Sequence, residues 1–240
     1  MKKDLLSLLA AGSLMLSSTA TMAAEYEVTV TNLTRGIYFT PLLVAAHDDA
    51  TGNLFTVGQP ASDNLQAMAE GGSIAGLVAE LNSASADLVE NPASGLLAPG
   101  KSATARLSTE GNPDHTLISL VGMMLPTNDS FIGLNAMPLP SGQEVEKKYS
   151  LNAYDAGTEA NDEIRGSGVP GESGFPVPPP LESLIDNGGT GVNATVEGYV
   201  HIHRNVLGDS NPTGGISDIN STTHRWLNPV ARVTIEVINP

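Results

Sequence analysis

The stretch of sequence that decides the fold is Thr116-Leu117-Ile118-Ser119-Leu120-Val121-Gly122-Met123-Met124. Successive side chains of a strand point to opposite faces of a sheet, and this run is apolar on both faces. Such a strand is covered on both sides. The stretch therefore predicts a central strand with protein layers above and below it.

Alternating strands are predicted at both ends of the folded region. Tyr26, Val28 and Val30 alternate with polar residues near the start, and Val233 and Ile235 alternate with polar or charged residues near the end. A period of two indicates strands with one buried face. Because both segments have the same pattern, we expect them to lie in one sheet system.

Further strand candidates cover residues 103–107, 131–135, 148–154 and 195–203. The chain also has 25 Gly and 16 Pro, which favour turns between short strands. We predict an all-β fold, an antiparallel β-sandwich of about eight strands, from this number of alternating segments.

Two segments depart from the strand pattern. Apolar residues at helical spacing predict two short helices over residues 65–81, divided by Gly71-Gly72, which cover an open end of the sandwich. Residues 165–191 are rich in Gly and Pro and include Pro178-Pro179-Pro180. We interpret this second segment as a long surface loop in partly extended polyproline geometry.

The amino terminus has the order of a cleavable secretory signal. Lys2 and Lys3 precede an apolar segment at residues 5–16, and small residues follow up to Ala23 and Ala24. The apolar segment is shorter than the roughly 20 residues of a membrane-spanning helix, so we expect no stable membrane insertion. We predict a signal peptide at residues 1–24, a mature domain at residues 25–240, and a secreted or periplasmic bacterial protein.

The composition is acidic and free of cysteine. Asp and Glu number 26 and Lys and Arg number 11, which gives a net charge of −15. Removal of the signal takes away two Lys and one Asp, which leaves −16. Such a surface repels nucleic acid and attracts cations, although solubility alone also explains it. Without disulfides, stability must come from core burial, with a bound ion as an additional source.

Two acidic loops follow predicted strands and are candidates for a cation site. Asp129 follows the central strand, and Asp155 and Glu159 follow the strand at 148–154. Carboxylates next to small residues that expose backbone carbonyls are the ligand mixture that Ca²⁺ prefers. On spacing alone, two solvated acidic loops are the simpler explanation, because no EF-hand pattern is present.

Two motifs resemble the spondin domain, which occurs in animal matrix proteins and in many bacterial secreted proteins. Residues 120–133, with Pro126-Thr127-Asn128-Asp129-Ser130 at their centre, are similar to the family segment Pro-Ser-Pro-Asp-Trp-Phe-Val-Gly. Asp155-Ala156-Gly157-Thr158-Glu159 is similar to the family's Asp-Ala-Gly-Thr-Asp. Further similar segments, among them Phe39-Thr40-Pro41 and Asn228-Pro229-Val230, extend the resemblance over nearly the whole mature chain.

The resemblance implies a sandwich related in shape to C2 domains, with one Ca²⁺ at a loop end. Carried over residue by residue, the family's calcium carboxylates fall on Asp129, Asp155 and Glu159. Three positions depart from the family pattern, since Asn128 replaces a Pro, Ser130 replaces a Trp and Glu159 replaces an Asp. The resemblance also implies adhesion or recognition of a surface, matrix or glycan partner.

A second candidate metal site uses histidines. His201 and His203 are two residues apart on a predicted strand and so point to one face, as pairs of Zn²⁺ or Cu²⁺ ligands do. His47 or His224 is a candidate third ligand that the sequence cannot place. An outer polar face is the alternative explanation for the pair.

We therefore expect a non-enzymatic, calcium-binding recognition module, because the sequence has no G-x-S-x-G nucleophile motif and few aromatic residues for a sugar platform. Trp226 and the Pro-rich loop are candidate contact surfaces. The alternatives are an extracytoplasmic metalloprotein or enzyme that uses His201 and His203, and a purely structural matrix or envelope component.

Overall fold

The computed structural model describes residues 24–239. Most of its regular structure is strand, which forms two antiparallel sheets and one short parallel pair. The strands are β1 (Glu25–Asn32), β2 (Tyr38–Phe39), β3 (Leu43–His47), β4 (Asp87–Glu90), β5 (Ser102–Ser108), β6 (Leu117–Leu125), β7 (Ser130–Pro138), β8 (Glu146–Leu151), β9 (Ala153–Asp155), β10 (Arg165–Gly166), β11 (Phe175–Pro176), β12 (His201–Ile202) and β13 (Ala231–Asn239). The α-helices are α1 (Asp63–Gly71) and α2 (Ala75–Ser83), and single 3₁₀ turns cover Asp49–Thr51 and Pro179–Leu181.

The smaller sheet has the strand order β5-β1-β13-β8. β1 and β13 pair antiparallel along their length, with Val28 opposite Ile235 and Val30 opposite Val233, and all four side chains are buried. The intervening polar residues face outward, as the period of two requires. The prediction that the two end strands share a sheet is confirmed.

The larger sheet has the order β12-β9-β7-β6-β3-β4, with β2 added beside β6. β6 lies in its interior, and residues 118–125 are buried without exception. This burial on both faces confirms the predicted central strand. The two sheets and their core establish the predicted fold class, an all-β antiparallel sandwich.

The strand predicted at 148–154 is divided between the two sheets. Leu151 pairs with Ala231 in the smaller sheet, whereas Ala153 pairs with Ile132 in the larger one. The backbone N–H of Ala153 donates a hydrogen bond of 2.9 Å to the side-chain oxygen of Asn228 at the crossing point. The crossing brings the following acidic loop to the end of the larger sheet.

The strand predicted at 195–203 is wrong over most of its length, because only His201–Ile202 pair as β12. Gly198 has a φ of 81°, outside the strand region, and its N–H donates to the carbonyl of Gly157. The N–H of Val200 donates to the carbonyl of Gln59. Loop hydrogen bonds therefore replace the strand ladder over residues 195–200.

The two predicted helices are present. α1 ends at Gly71 and is capped by Gly72, which adopts the left-handed conformation that glycine tolerates best; α2 begins three residues after this cap. Leu65 and Met68 of α1 are fully buried, and α1 packs against β6 and β7 of the larger sheet. The structure also has β2, β3 and β4, which the sequence analysis did not predict.

The Gly- and Pro-rich segment is a long excursion that buried apolar side chains, among them Phe175, Leu181 and Ile185, anchor to the core. Phe175 and Leu181 are almost completely buried, while Pro179 and Pro180 are exposed. Strands β10 and β11 pair within it, and β11 contacts α1.

Carboxylates hold much of the remaining loop structure in place. Both oxygens of Glu163 accept backbone N–H bonds, from Leu207 and Gly208, and Oε2 also accepts the hydroxyl of Ser217. Buried acceptors satisfied by backbone donors order loops that lack regular hydrogen bonding. Part of the acidity of the chain therefore has a structural role, beyond solubility.

No helix in residues 24–239 has the length and the apolarity needed to cross a membrane. Residues 1–23 of the predicted signal peptide lie outside the described residues.

Candidate functional site

Asp129 lies in the tight connection between β6 and β7 and is fully buried. Its Oδ2 accepts backbone N–H bonds from Thr158 at 2.8 Å and Glu159 at 3.1 Å. Its backbone carbonyl accepts the N–H of Ala156 at 3.1 Å. The two acidic loops are thus joined at Asp129.

Asp155 ends β9, between β7 and β12. It stands opposite Ser130 on one neighbour and opposite His201 on the other, so the three side chains share a face of the sheet. Its Oδ1 accepts the N–H of Gly157 at 2.8 Å, and its Oδ2 accepts the side-chain amide of Asn161 at 2.8 Å. The carboxylate is therefore held in one orientation.

The Asp129 and Asp155 carboxylates are close enough to influence each other's charge. Burial raises the pKa of Asp129, and the negative charges of Asp155 and Glu197 raise it further, against the lowering effect of its two backbone donors. Burial also raises the pKa of Asp155, with Glu197 acting in the same direction. Two buried acids that disfavour each other's ionisation form a site where a cation is stabilised.

Glu159, the third predicted calcium ligand, is hydrogen-bonded between two loops. Its Oε1 accepts a hydrogen bond of 2.8 Å from the amide of Asn128 and another from the N–H of Gly174 in the Pro-rich excursion. Burial raises its pKa to about 7, although these two donors oppose the shift. The carboxylate of Glu159 thus connects loops.

Asn128, one of the departures from the family pattern, takes part in the same connection. Besides Glu159, its amide reaches the carboxylate of Asp162 at 2.7 Å, and its oxygen accepts the N–H of Glu163 at 3.0 Å. A proline at this position lacks the side-chain amide that makes these bonds. Asn128 therefore stabilises this loop by side-chain hydrogen bonds, where the family's proline would stabilise it by its rigid ring.

Glu197 is the site residue that the sequence analysis missed. Single ligand atoms of Asp155, Glu197 and His201 all lie within 4.8 Å of one another, the spacing of a metal-binding group. Asp129, Asp155 and Glu159 do not form such a group in residues 24–239. Glu197 lies in an irregular loop, so no periodicity in the sequence could have placed it next to Asp155.

Gly157 makes this arrangement possible. Its φ of 68° lies in the left-handed region, and a Cβ there would stand 2.3 Å from the carbonyl oxygen of Tyr199. The close approach brings the loop of Glu197 against the loop of Asp155.

Polar atoms without hydrogen-bond partners concentrate around Asp155. In the described part of the chain, five buried side-chain atoms lack a partner, and four of them are close to this site: Asp129 Oδ1, Ser130 Oγ, Glu197 Oε2 and His201 Nδ1. Buried polar atoms are normally satisfied. A cation or water bound here would supply partners for these atoms.

His201 and His203 both face Asp155, as their spacing predicted, but their states differ. His201 Nδ1 lies 3.7 Å from Asp155 Oδ1, too far for a hydrogen bond. His203 Nδ1 accepts the N–H of Asn205 at 2.9 Å, and its Nε2 lies 3.0 Å from the oxygen of Asn161. Burial lowers the pKa of His203 to about 3. Both nitrogens of His203 are engaged, so it has no free lone pair for a metal.

The remaining candidates lie elsewhere. His47 bridges Ser119 and the carbonyl of Asp48, and His224 accepts the N–H of Asn220, so neither joins the cluster. Trp226 is buried and packs against His203, with ring centroids 5.3 Å apart. The Trp226 side chain therefore offers little exposed surface to a partner.

The donor set fits a divalent cation at Asp155, with Asp129, Glu197 and His201 beside it. Three carboxylates exceed the charge of a divalent ion, and oxygen donors suit Ca²⁺. The Glu159 carboxylate fits less well, because its Oε1 already has two donors.

The protein is an antiparallel β-sandwich with a buried acidic cluster at one end of its larger sheet. The Spondin_N family model matches residues 20–167, which is more than half of the chain. The chain therefore belongs to the spondin N-terminal domain family, and the resemblance read from the sequence is confirmed. A search of curated proteins finds no match. Asp129, Asp155 and Glu159 lie inside the matched segment, whereas Glu197 and His201 lie beyond it.

Proposed function

We propose that this chain is a non-enzymatic, extracytoplasmic spondin module that recognises a surface, matrix or glycan partner and is made rigid by a divalent cation. The observation that carries the proposal is the buried Asp129 carboxylate, whose Oδ1 has no partner, next to the equally buried Asp155. A cation there offsets their mutual repulsion.

Ca²⁺ is the cation of the proposal, with Asp129 and Asp155 as its principal protein ligands. Asp129 lies in a loop and Asp155 ends a strand at the same end of the larger sheet, so one ion between them fixes both segments. Glu159 stabilises the loops around the site by accepting hydrogen bonds from Asn128 and Gly174. The role of the ion is to neutralise charge and to hold a binding surface in one conformation.

Recognition is proposed over catalysis because the sequence has no nucleophile motif and the pair of histidines does not supply two metal ligands. Location outside the cytoplasm rests on the amino-terminal signal pattern and on the family, and is tested by sequencing the amino terminus of the exported protein.

Thermal unfolding with and without Ca²⁺ tests the cation. With free Ca²⁺ at 100 times its Kd, the linkage relation gives about 2.7 kcal/mol of stabilisation. For a domain of this size that corresponds to a rise in Tm of roughly 5–11 °C. Asp155→Asn should lose most of this rise, whereas the matched control Asp114→Asn, at an exposed residue, should keep it.

An unchanged Tm in millimolar Ca²⁺, or an equal response of Asp155→Asn and wild type, contradicts the calcium site. Recognition is tested separately, by measuring how much pure protein binds to the envelope and matrix fractions of the parent cell with Ca²⁺ or with a chelator. Stabilisation by Ca²⁺ without any binding indicates a purely structural component.

A further inference from the structure

The acidic cluster contains a nitrogen donor that a calcium site does not need. His201 Nδ1 is buried, makes no hydrogen bond, and lies 3.7 Å from Asp155 Oδ1. Glu197 Oε2 is also buried and without a partner. Asp129 is fully buried with an unpartnered Oδ1, and the negative charges of Asp155 and Glu197 raise its pKa. The structure thus brings one imidazole nitrogen together with the carboxylates of Asp155 and Glu197, and the buried Asp129 lies in the neighbouring loop.

The strand register accounts for the position of His201. His201 stands directly opposite Asp155 where β12 joins the edge of the larger sheet. Glu197 reaches the same point from the preceding loop, which hydrogen bonds fasten to Gly157 and Gln59. The ligand atoms therefore come from two separate segments that backbone contacts hold together.

Imidazole and carboxylate donors together select a different class of ion from carboxylates alone. Ca²⁺ and Mg²⁺ take oxygen ligands almost exclusively, whereas imidazole suits Zn²⁺, Cu²⁺, Ni²⁺ and Fe²⁺. Zn²⁺ sites commonly combine His with Asp or Glu and leave one position open. The mixed donor set around Asp155 therefore matches a first-row transition ion better than Ca²⁺.

We infer that Asp155, Glu197 and His201 bind a first-row divalent transition ion of the Zn²⁺ class, more tightly than the same pocket binds Ca²⁺. The inference rests on the proposed cation site but replaces Ca²⁺ by a transition ion as the ion that this site binds most tightly. Glu197 and His201 lie beyond the segment that the family model matches, so this selectivity is a property of the chain's own carboxyl-terminal part.

An ion can reach the pocket from solvent. Asp155, Glu197 and His201 line a cavity of about 380 Å³ that also borders Asn193 and Arg204. The cavity leaves room for water or for an anionic group of a partner to complete the coordination of the ion. His203 also lines this cavity but has both nitrogens engaged, which makes His201 the nitrogen ligand.

Calorimetric titration of tag-free, metal-stripped protein with Zn²⁺ and with Ca²⁺ tests the inference. Wild type is expected to bind one Zn²⁺ per chain, at least tenfold more tightly than Ca²⁺. His201→Gln should weaken Zn²⁺ binding at least tenfold and change Ca²⁺ binding less than threefold. His115→Gln is the matched control, because His115 is also well buried and also faces a carboxylate, that of Asp87, but lies outside the cluster.

The outcomes separate this inference from the proposal beneath it. Binding of Ca²⁺ that depends on Asp155, together with Zn²⁺ binding that His201→Gln leaves unchanged, overturns the inference alone. Absence of binding of either ion overturns the cation site and the inference together. The visible spectrum of the Co²⁺ form gives a second readout, since loss of a nitrogen ligand in His201→Gln should shift its absorption bands while His115→Gln should not.

Discussion

Replacing Glu197 by Gln should stabilise the metal-free protein and weaken its response to cations. The carboxylate oxygens of Glu197 and Asp155 lie within 4.8 Å of each other. At that separation two unit charges repel by about 3.5 kcal/mol with an effective dielectric constant of 20, and by about 1 kcal/mol with that of water. Glutamine keeps the shape of the side chain and removes the charge.

The size of the effect follows from how the charges are compensated. Arg204 lies 4.0 Å from Glu197 Oε1 but is 81 % exposed, so its attraction offsets little of the repulsion. Relief of about 1–3 kcal/mol corresponds to a Tm increase of roughly 2–12 °C for a domain of this size. The same change removes a proposed ligand, so the stabilisation by Zn²⁺ or Ca²⁺ should shrink.

Scanning calorimetry at pH 8 in a chelator, followed by repeats with each ion, measures both effects. Glu110→Gln, at an exposed residue, is the control and should behave as wild type. At pH 5, where the raised pKa keeps Asp155 largely protonated, the advantage of Glu197→Gln over wild type should disappear. A metal-free Glu197→Gln protein that is less stable than wild type at pH 8 would refute the charge repulsion on which the site rests.

Three further predictions concern the wild type and two other variants. The pKa values of Asp129, Asp155 and Glu159 are raised in the folded protein, so these groups hold protons more tightly when folded. The Tm of metal-free protein should therefore fall as the pH rises from about 4 through about 7. A Tm that rises across this window in calorimetry would contradict the raised pKa values. Gly157→Ala should lower the free energy of unfolding by about 1–3 kcal/mol, measured by chemical denaturation, and should weaken cation binding. Wild-type stability and affinity in this variant would show that the close approach of the two loops is not required. Phe39 is fully buried, so Phe39→Ala should lower the free energy of unfolding by about 3–5 kcal/mol and leave the cation affinity unchanged. A large loss of cation affinity in this variant would mean that the site depends on the whole core.

The parts of the fold that local patterns specify could be predicted from the sequence. β1, β6 and β13 follow from side-chain alternation or from an apolar run, and the helix boundary follows from Gly72. The division of the strand at 148–154 could not be predicted, because Leu151 and Ala153 continue the same alternation while they pair in different sheets. Long-range contacts such as the one from Asn228 decide that crossing.

The candidate site was predictable to a similar extent. Asp129 and Asp155 follow strands whose ends meet, so their proximity has a local cause. Glu197 reaches the site through hydrogen bonds from Gly198 to Gly157, about 40 residues earlier in the chain, which no periodicity encodes. The position of Glu159 depends on Asn128 and Gly174, and sequence motifs do not record where such a carboxylate points.

A crystal structure of the protein soaked in Ca²⁺ or Zn²⁺ tests the central claim, a divalent cation at the end of the larger sheet, most directly. We predict one strong density peak, with an anomalous signal for Zn²⁺, at about 2.0–2.6 Å from carboxylate oxygens that include Asp155. Crystals that hold no ion at Asp129 and Asp155 in millimolar cation, or that hold it at other residues, would contradict the claim.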